Sequence, residues 1–267
     1  MQKNTNHKWN AGDYAGHSSA QAKWGEELIA KLDLRGDEAV LDIGCGDGKL
    51  TAALAQQLSA GFVQGVDSSP EMICFAKKSF PREKFSNLSF AVRDARRLAF
   101  KDKFDIVVSF ACLHWVKNHL PVLKGIRRSL KDGGCTLLQF GGKGNAEDVI
   151  AVAGELVAGD PWKKYFRGFV SPWYFYEPEE YAVYVNKAGL VPQRIELIAK
   201  DMVQNGKDGL IGWMRTTWTP YTGRLPASLR DKFLAKIADR YLARYPLDKA
   251  GCAHVKVQRL EVEACKA

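Results

Sequence analysis

Between Val40 and Gly48 the chain reads Val-Leu-Asp-Ile-Gly-Cys-Gly-Asp-Gly: a short apolar run carrying an acid, then three glycines at alternate positions. An apolar run of this length that breaks into glycines is a buried strand, and the helix-like pattern of Leu50 to Leu58 follows at once. Glycine is needed where a chain turns tightly and where a ligand must touch backbone with no Cβ in the way. A strand, a glycine turn and a helix in that order predict a parallel sheet with crossover helices.

The alternation continues in both directions. Gln21 to Leu34 reads as an amphipathic helix, Gly61 to Val66 as a strand, and Pro70 to Lys78 as a helix with Ser69 as N-cap and Pro70 at the first position. Leu88 to Val92, Phe104 to Phe110 and Cys135 to Phe140 read as strands. Leu120 to Leu130 is a helix ended by the turn Lys131 to Gly134. Beyond Gly142 the regular pattern gives way to aromatic stretches such as Pro172-Trp173-Tyr174-Phe175-Tyr176. Pro178 to Lys187, Leu210 to Thr217 and Ser228 to Tyr245 are helical. Val191 to Ala199 is a strand, and the alternation of residues 254 to 263 predicts a late, antiparallel strand toward the sheet's edge. The whole chain, 1–267, is expected to form one domain. Its expected parts are a lid segment (1–20), a core (21–142), cap insertions (143–177 and 203–250) and late strands (190–200 and 254–264).

Composition narrows the class. With 46% hydrophobic and 26% charged residues, the chain can bury a sizeable core. No apolar run approaches the roughly 20 residues of a bilayer span, and the polar start has no signal-like core, so no membrane association and a cytoplasmic location are expected. The six cysteines form no CxxC pair, and reduced, mostly buried thiols are the expectation. A net charge of +9 favours anions of some kind. The Lys and Arg residues are dispersed rather than gathered in a basic block, which does not favour nucleic acid.

The glycine turn can be read chemically. Counted from Gly44 and Gly46, the third slot of a dinucleotide G-x-G-x-x-G is Lys49, which weakens a dinucleotide reading. Asp42, two residues before the first glycine, would repel a pyrophosphate but suits an ammonium group. Asp67, closing the next strand, stands where a carboxylate reaches a ribose diol. Asp94 follows the third strand, where it can accept from an adenine amino group while the Ala95 N–H faces a ring nitrogen.

These residues resemble the motifs of class I S-adenosylmethionine-dependent methyltransferases: VLDIGCGDG, GVDSS, RDA and FDIVVSFACLHWV. The resemblance implies a Rossmann-like, seven-stranded, mostly parallel sheet flanked by helices with a helical substrate cap, and S-adenosylmethionine as cofactor. It places Asp42 and Gly44 against the methionine part, Asp67 and Ser68 against the ribose and adenine edge, Asp94 and Ala95 against adenine, and Ser109 and Phe110 beside the sulfonium, with Cys45 and Gly46 among the cofactor-binding residues. Trp9 and Tyr14, in WNAGDY, are similar to the W-N-x-x-x-Y opening of the trans-aconitate methyltransferase-like subgroup and would close over the cofactor. Leu113-His114-Trp115-Val116 and the tail from Gly212 to Lys249 are similar to that subgroup's other segments.

The resemblance implies a small, anionic acceptor and O-methylation of a carboxylic acid. A hydroxyl or amine acceptor, RNA, or a non-catalytic cofactor-binding role are the alternatives. Arg215, between Trp213 and Trp218, is the expected carboxylate anchor, since a guanidinium fork binds carboxylate at two points. His114 is the candidate base or acceptor-orienting group. His114 and His119 have no carboxylate companion at helical spacing, so no metal is expected.

Overall fold

The structure is a computed structural model that describes residues 19–267, with side chains from Lys23 onward. Trp9 and Tyr14 lie outside the described residues. Seven strands form one sheet: β1 (Ala39–Ile43), β2 (Phe62–Asp67), β3 (Leu88–Val92), β4 (Phe104–Phe110), β5 (Leu130–Gly141), β6 (Val191–Gln204) and β7 (Ala253–Cys265), in the order β3-β2-β1-β4-β5-β7-β6. Strands β1 to β5 are parallel, and β7 runs antiparallel to β5. The late strand β7 is antiparallel and lies in the edge region as expected, one place in from β6, which takes the edge itself.

The chain divides into two compact units. The sheet unit comprises residues 21–143, 173–198 and 259–267. Helices cover both faces of its sheet: α1 (Ser19–Ile29), α2 (Lys49–Gln57) and α3 (Pro70–Ser79) on one, α4 (Leu120–Ser129) and α6 (Pro178–Lys187) on the other. Leu28, Val40, Leu54, Val63, Ile73 and Val108 fill the first interface; Leu41, Phe104, Val107, Leu123, Phe140 and Tyr181 fill the second. Along β1 odd and even positions therefore feed opposite cores, which is why the strand reads as an unbroken apolar run apart from Asp42.

The second unit takes in residues 144–172 and 199–258; besides the ends of β6 and β7 it carries the helices α5 (Glu147–Ala158), α7 (Gly206–Thr217), the short α8 (Thr219–Thr222) and α9 (Ala227–Arg244). Trp162, Phe166, Tyr221 and Phe233 meet with ring centroids 5.1–6.5 Å apart. Trp213 and Trp218 join them, both buried. Helix α5 falls where the sequence pattern promised nothing regular. No helix among the described residues is long and apolar enough to cross a membrane.

One cysteine expectation is corrected. Cys135 and Cys265, directly opposite in the β5–β7 register, are disulfide-bonded with Cα atoms 4.0 Å apart. Cys45, Cys74, Cys112 and Cys252 are free thiols.

Candidate active site

The carboxyl ends of β1, β2, β3, β4 and β5 form the edge where open parallel sheets bind ligands. At β1 the chain leaves Ile43 through Gly44, whose φ of 76° falls in the left-handed region. A Cβ there would stand 2.2 Å from the Cys112 sulfur, so packing as well as dihedral excludes a side chain. Gly46, at φ 53°, has no described atom within 4 Å of where its Cβ would be, which leaves open space above the turn. Gly44 and Cys45 both donate to the Val66 carbonyl, at 2.7 and 3.1 Å, tying the turn to β2. Gly48 then starts α2 from φ 85° without a side-chain cap.

The three acids take three distinct environments. Asp42 is 2% exposed and accepts from the Thr51 hydroxyl at 2.7 Å. Loss of hydration pushes its carboxyl up to about 7, against the Thr51 bond and with a smaller push from Asp67. Asp67 accepts from the Gly46 N–H at 3.1 Å and the Ser69 N–H at 2.8 Å, so the acid ending β2 latches the glycine turn of β1. Burial raises its carboxyl despite these bonds. Asp94 accepts from the Arg96 N–H at 2.9 Å and clasps the Arg96 guanidinium at 2.5–3.1 Å, chiefly for which reason its carboxyl lies below the usual range. Ser68 is exposed and Ala95 half-buried on the adjoining loops.

At β4, Ser109 is fully buried and donates to the Ile43 carbonyl at 2.7 Å, holding β4 against β1; Phe110, also buried, ends the strand. Cys45 is buried and its thiol is pushed well up by desolvation and by Asp42, so it is chemically quiet. After the strand, Ala111 adopts a positive φ of 55° and the chain enters a short turn, Leu113–Trp115. His114 Nδ1 accepts from the Gly141 N–H at 3.3 Å, and the His114 carbonyl accepts from the Tyr174 N–H at 2.9 Å. Desolvation, the nearby Arg259 charge and His119 hold the His114 imidazolium well below its ordinary range. His119 is a structural tie. Buried, it bridges the Leu113 carbonyl and the Tyr181 hydroxyl at 2.8 and 3.0 Å, and burial lowers it to about 4.

The aromatic stretch 173–176 belongs to the sheet unit and splits in two. Tyr176 packs inward against His119 and Tyr181. Trp173 and Phe175 stack at 6.3 Å and stay half-buried; Trp173 meets Trp115, and Phe175 meets His114. These two and Trp115 form an aromatic wall around His114. Trp115 enters the sequence reading only as part of a motif and Arg259 is not singled out at all; the structure places the one in the wall and lets the charge of the other reach His114. For Arg259 a signal existed: Val255, Val257, Arg259 and Glu261 share one phase of β7, so the charges continue an inward-facing row. Arg215, the expected anchor, stands in the helical unit on the exposed side of α7, while Trp213 and Trp218 turn into that unit's core.

The methyltransferase-domain family matches residues 40–134 of the chain, the segment from β1 to the start of β5. Juvenile hormone acid O-methyltransferase of Drosophila melanogaster is 30% identical over 226 residues, covering 80% of this chain and 75% of its own. The chain belongs to the class I S-adenosylmethionine-dependent methyltransferases. Trans-aconitate 2-methyltransferase of Streptomyces coelicolor is 29% identical and covers 91% of this methyltransferase and 82% of itself. The fold is that of the YcgJ protein from Bacillus subtilis, with a TM-score of 0.65 at 20% identity, covering 92% of this chain and 98% of that one. S-adenosylmethionine is the cofactor of this enzyme. The open space over Gly46, the buried anion of Asp42 and the carboxylate of Asp67 fit a ligand with an ammonium group at one end and a ribose diol farther along.

Proposed function

We propose that the enzyme methylates the carboxylate oxygen of a small carboxylic acid. The observation that carries this reading is the hydrogen bond that the Gly141 N–H donates to His114 Nδ1. With Nδ1 accepting, the ring proton sits on Nε2 and the imidazole offers a donor, not a base. The cofactor supplies an electrophilic methyl group, and the chain's own residues align the nucleophile with it and keep water out. A hydroxyl or amine acceptor would have to lose a proton to a ring that resists taking one. A carboxylate arrives already ionised and needs only donors to hold it.

In this reading Asp42 faces the cofactor's ammonium, with Gly44, Cys45 and Gly46 presenting backbone to the methionine part. Asp67 and Ser68 face the ribose. Asp94, with Ala95, would face adenine while sharing its oxygens with Arg96. Phe110 would flank the sulfonium, with Ser109 supporting from beneath. The wall of Trp115, Trp173 and Phe175 would receive an apolar or planar acceptor body. Two relatives bear names of acid methyltransferases, trans-aconitate 2-methyltransferase and juvenile hormone acid O-methyltransferase, which supports the same acceptor class.

The test uses methyl-labelled S-adenosylmethionine with a panel of tricarboxylates, unsaturated fatty acids, phenols and amines. Base-labile methyl esters are expected. At saturating cofactor kcat should stay flat from about pH 6.5 to 9, because no proton leaves the acceptor. Transfer only to hydroxyl or nitrogen, or a unit-slope rise of kcat within that range, would overturn the reading.

A further inference from the structure

We infer that Thr51 is a positioning residue for the cofactor: from the first turn of α2 it holds one oxygen of Asp42 and leaves the other to the cofactor's ammonium. This rests on the placement of Asp42 against that ammonium, proposed above, and adds the group that makes the acid fit to meet it. The contact is short and dry. The Thr51 hydroxyl donates to Asp42 Oδ2 at 2.7 Å, Thr51 is fully buried and Asp42 is 2% exposed.

The glycine turn builds this contact. Asp42 lies in β1, and Thr51, nine residues on, is the third residue of α2. Between them Gly48 redirects the chain at φ 85°, and a Cβ there would meet the Phe90 ring at 2.8 Å and Ala76 at 3.0 Å. The helix can therefore start tight against the sheet. In a helix a threonine hydroxyl can turn back on a carbonyl of the preceding turn, but this one donates to a carboxylate.

What else Asp42 faces makes that bond matter. Loss of hydration works against its charge, and Asp67, ending β2, adds a like charge. Cys45 in the turn and Cys112 after β4 feel the charge of Asp42 and bring no cation to offset it. The Thr51 hydroxyl is the group that favours ionisation. A donor stabilises the ionised carboxyl over the protonated one, and only the ionised form pairs with an ammonium. Thr51 thus loosens the proton that the cofactor must displace.

The test is calorimetry of S-adenosylhomocysteine binding from pH 6 to 9 with wild type, Thr51→Val and Thr51→Ser. In wild type Kd should rise below an inflection at about pH 7. Thr51→Val keeps the shape without the donor and should move that inflection up by about one to two pH units. Its Kd should exceed the wild-type value about 10- to 100-fold at pH 6 and by no more than about threefold at pH 9, as both carboxyls ionise. The ligand's own titration cancels in this ratio. Thr51→Ser should keep the wild-type inflection. Without ligand, the melting temperature of Thr51→Val should fall relative to wild type as pH rises from 6 to 9, because a carboxyl that keeps its proton to higher pH loses stability over a wider window. If Thr51→Val does not fold, Thr51→Ala removes the same donor and carries the test. In Asp42→Asn the further change Thr51→Val should leave the pH dependence of Kd unaltered. A ratio equal at pH 6 and pH 9, or an unmoved inflection, would overturn the role of Thr51 and leave Asp42 in place. Binding by Asp42→Asn as tight as wild type, or a wild type with no inflection, would overturn this inference together with the placement it rests on.

Discussion

Asp42→Asn is expected to weaken S-adenosylhomocysteine binding by about 100- to 1,000-fold while raising the melting temperature of the ligand-free protein at pH 8. The first effect is the loss of one partner of a buried charge pair, which costs about 3–5 kcal/mol. The second follows from the carboxyl standing at about 7 in the folded chain against 3.8 for an ordinary aspartate. Between these values the folded chain holds more protons than the unfolded one, so Asp42's contribution to stability falls as pH rises through that window. Above about pH 7 the deficit has levelled at roughly 4 kcal/mol. Asparagine carries no charge to desolvate and still accepts from Thr51. Binding has the opposite dependence: a cation beside Asp42 favours its ionised form, so cofactor affinity should fall about tenfold per pH unit below 7, with proton release visible by calorimetry in buffers of differing ionisation enthalpy. Unchanged affinity in Asp42→Asn, or a pH-independent Kd in wild type, would remove Asp42 from the site.

Reduction of the Cys135–Cys265 bond should produce the next largest effect. The bond closes a loop across a separation of 130 residues, for which the chain-entropy account gives about 5 kcal/mol. At roughly 2–4 °C per kcal/mol for a chain of this size, reductant should lower the melting temperature by about 10 °C or more. The Cys135→Ser/Cys265→Ser variant should melt at the reduced temperature and ignore reductant. Denatured, unreduced wild type should titrate four thiols, and a titre of six would show that the bond does not form. Because cytosol keeps most protein thiols reduced, the oxidised fraction after rapid alkylation of cells would also report on the compartment in which the enzyme works.

Much of the sheet was legible because its central strands announce themselves: Val107-Val108 and Val40-Leu41 are buried on both faces, and glycines follow β1 where the chain turns. Helix α5 was not, because its N-cap is Ala146 at φ 52°, with no capping side chain to mark a start. The acids at residues 42, 67 and 94 could be found by position alone, since each stands at the carboxyl end of a strand or just past it. The tautomer of His114 could not, because it depends on the N–H of Gly141. Nor could the disulfide, whose cysteines meet only through the register of β5 with β7.

That strand order has a consequence for how the molecule assembles. Strands β1 to β5 can pair as they are made, each finding its neighbours among segments already present. Strand β6 cannot, since its neighbour in the sheet is β7, some fifty residues later. Until β7 arrives, a fourteen-residue segment must wait unpaired and β5 keeps an open flank. Such late, sequence-distant pairing is the slow part of building a sheet and the interval in which one nascent chain can add to another. Overproduction at high temperature should therefore be limited by capture of this half-built sheet, and a chaperone that shields residues 191–204 would help more than any change that stabilises the finished fold.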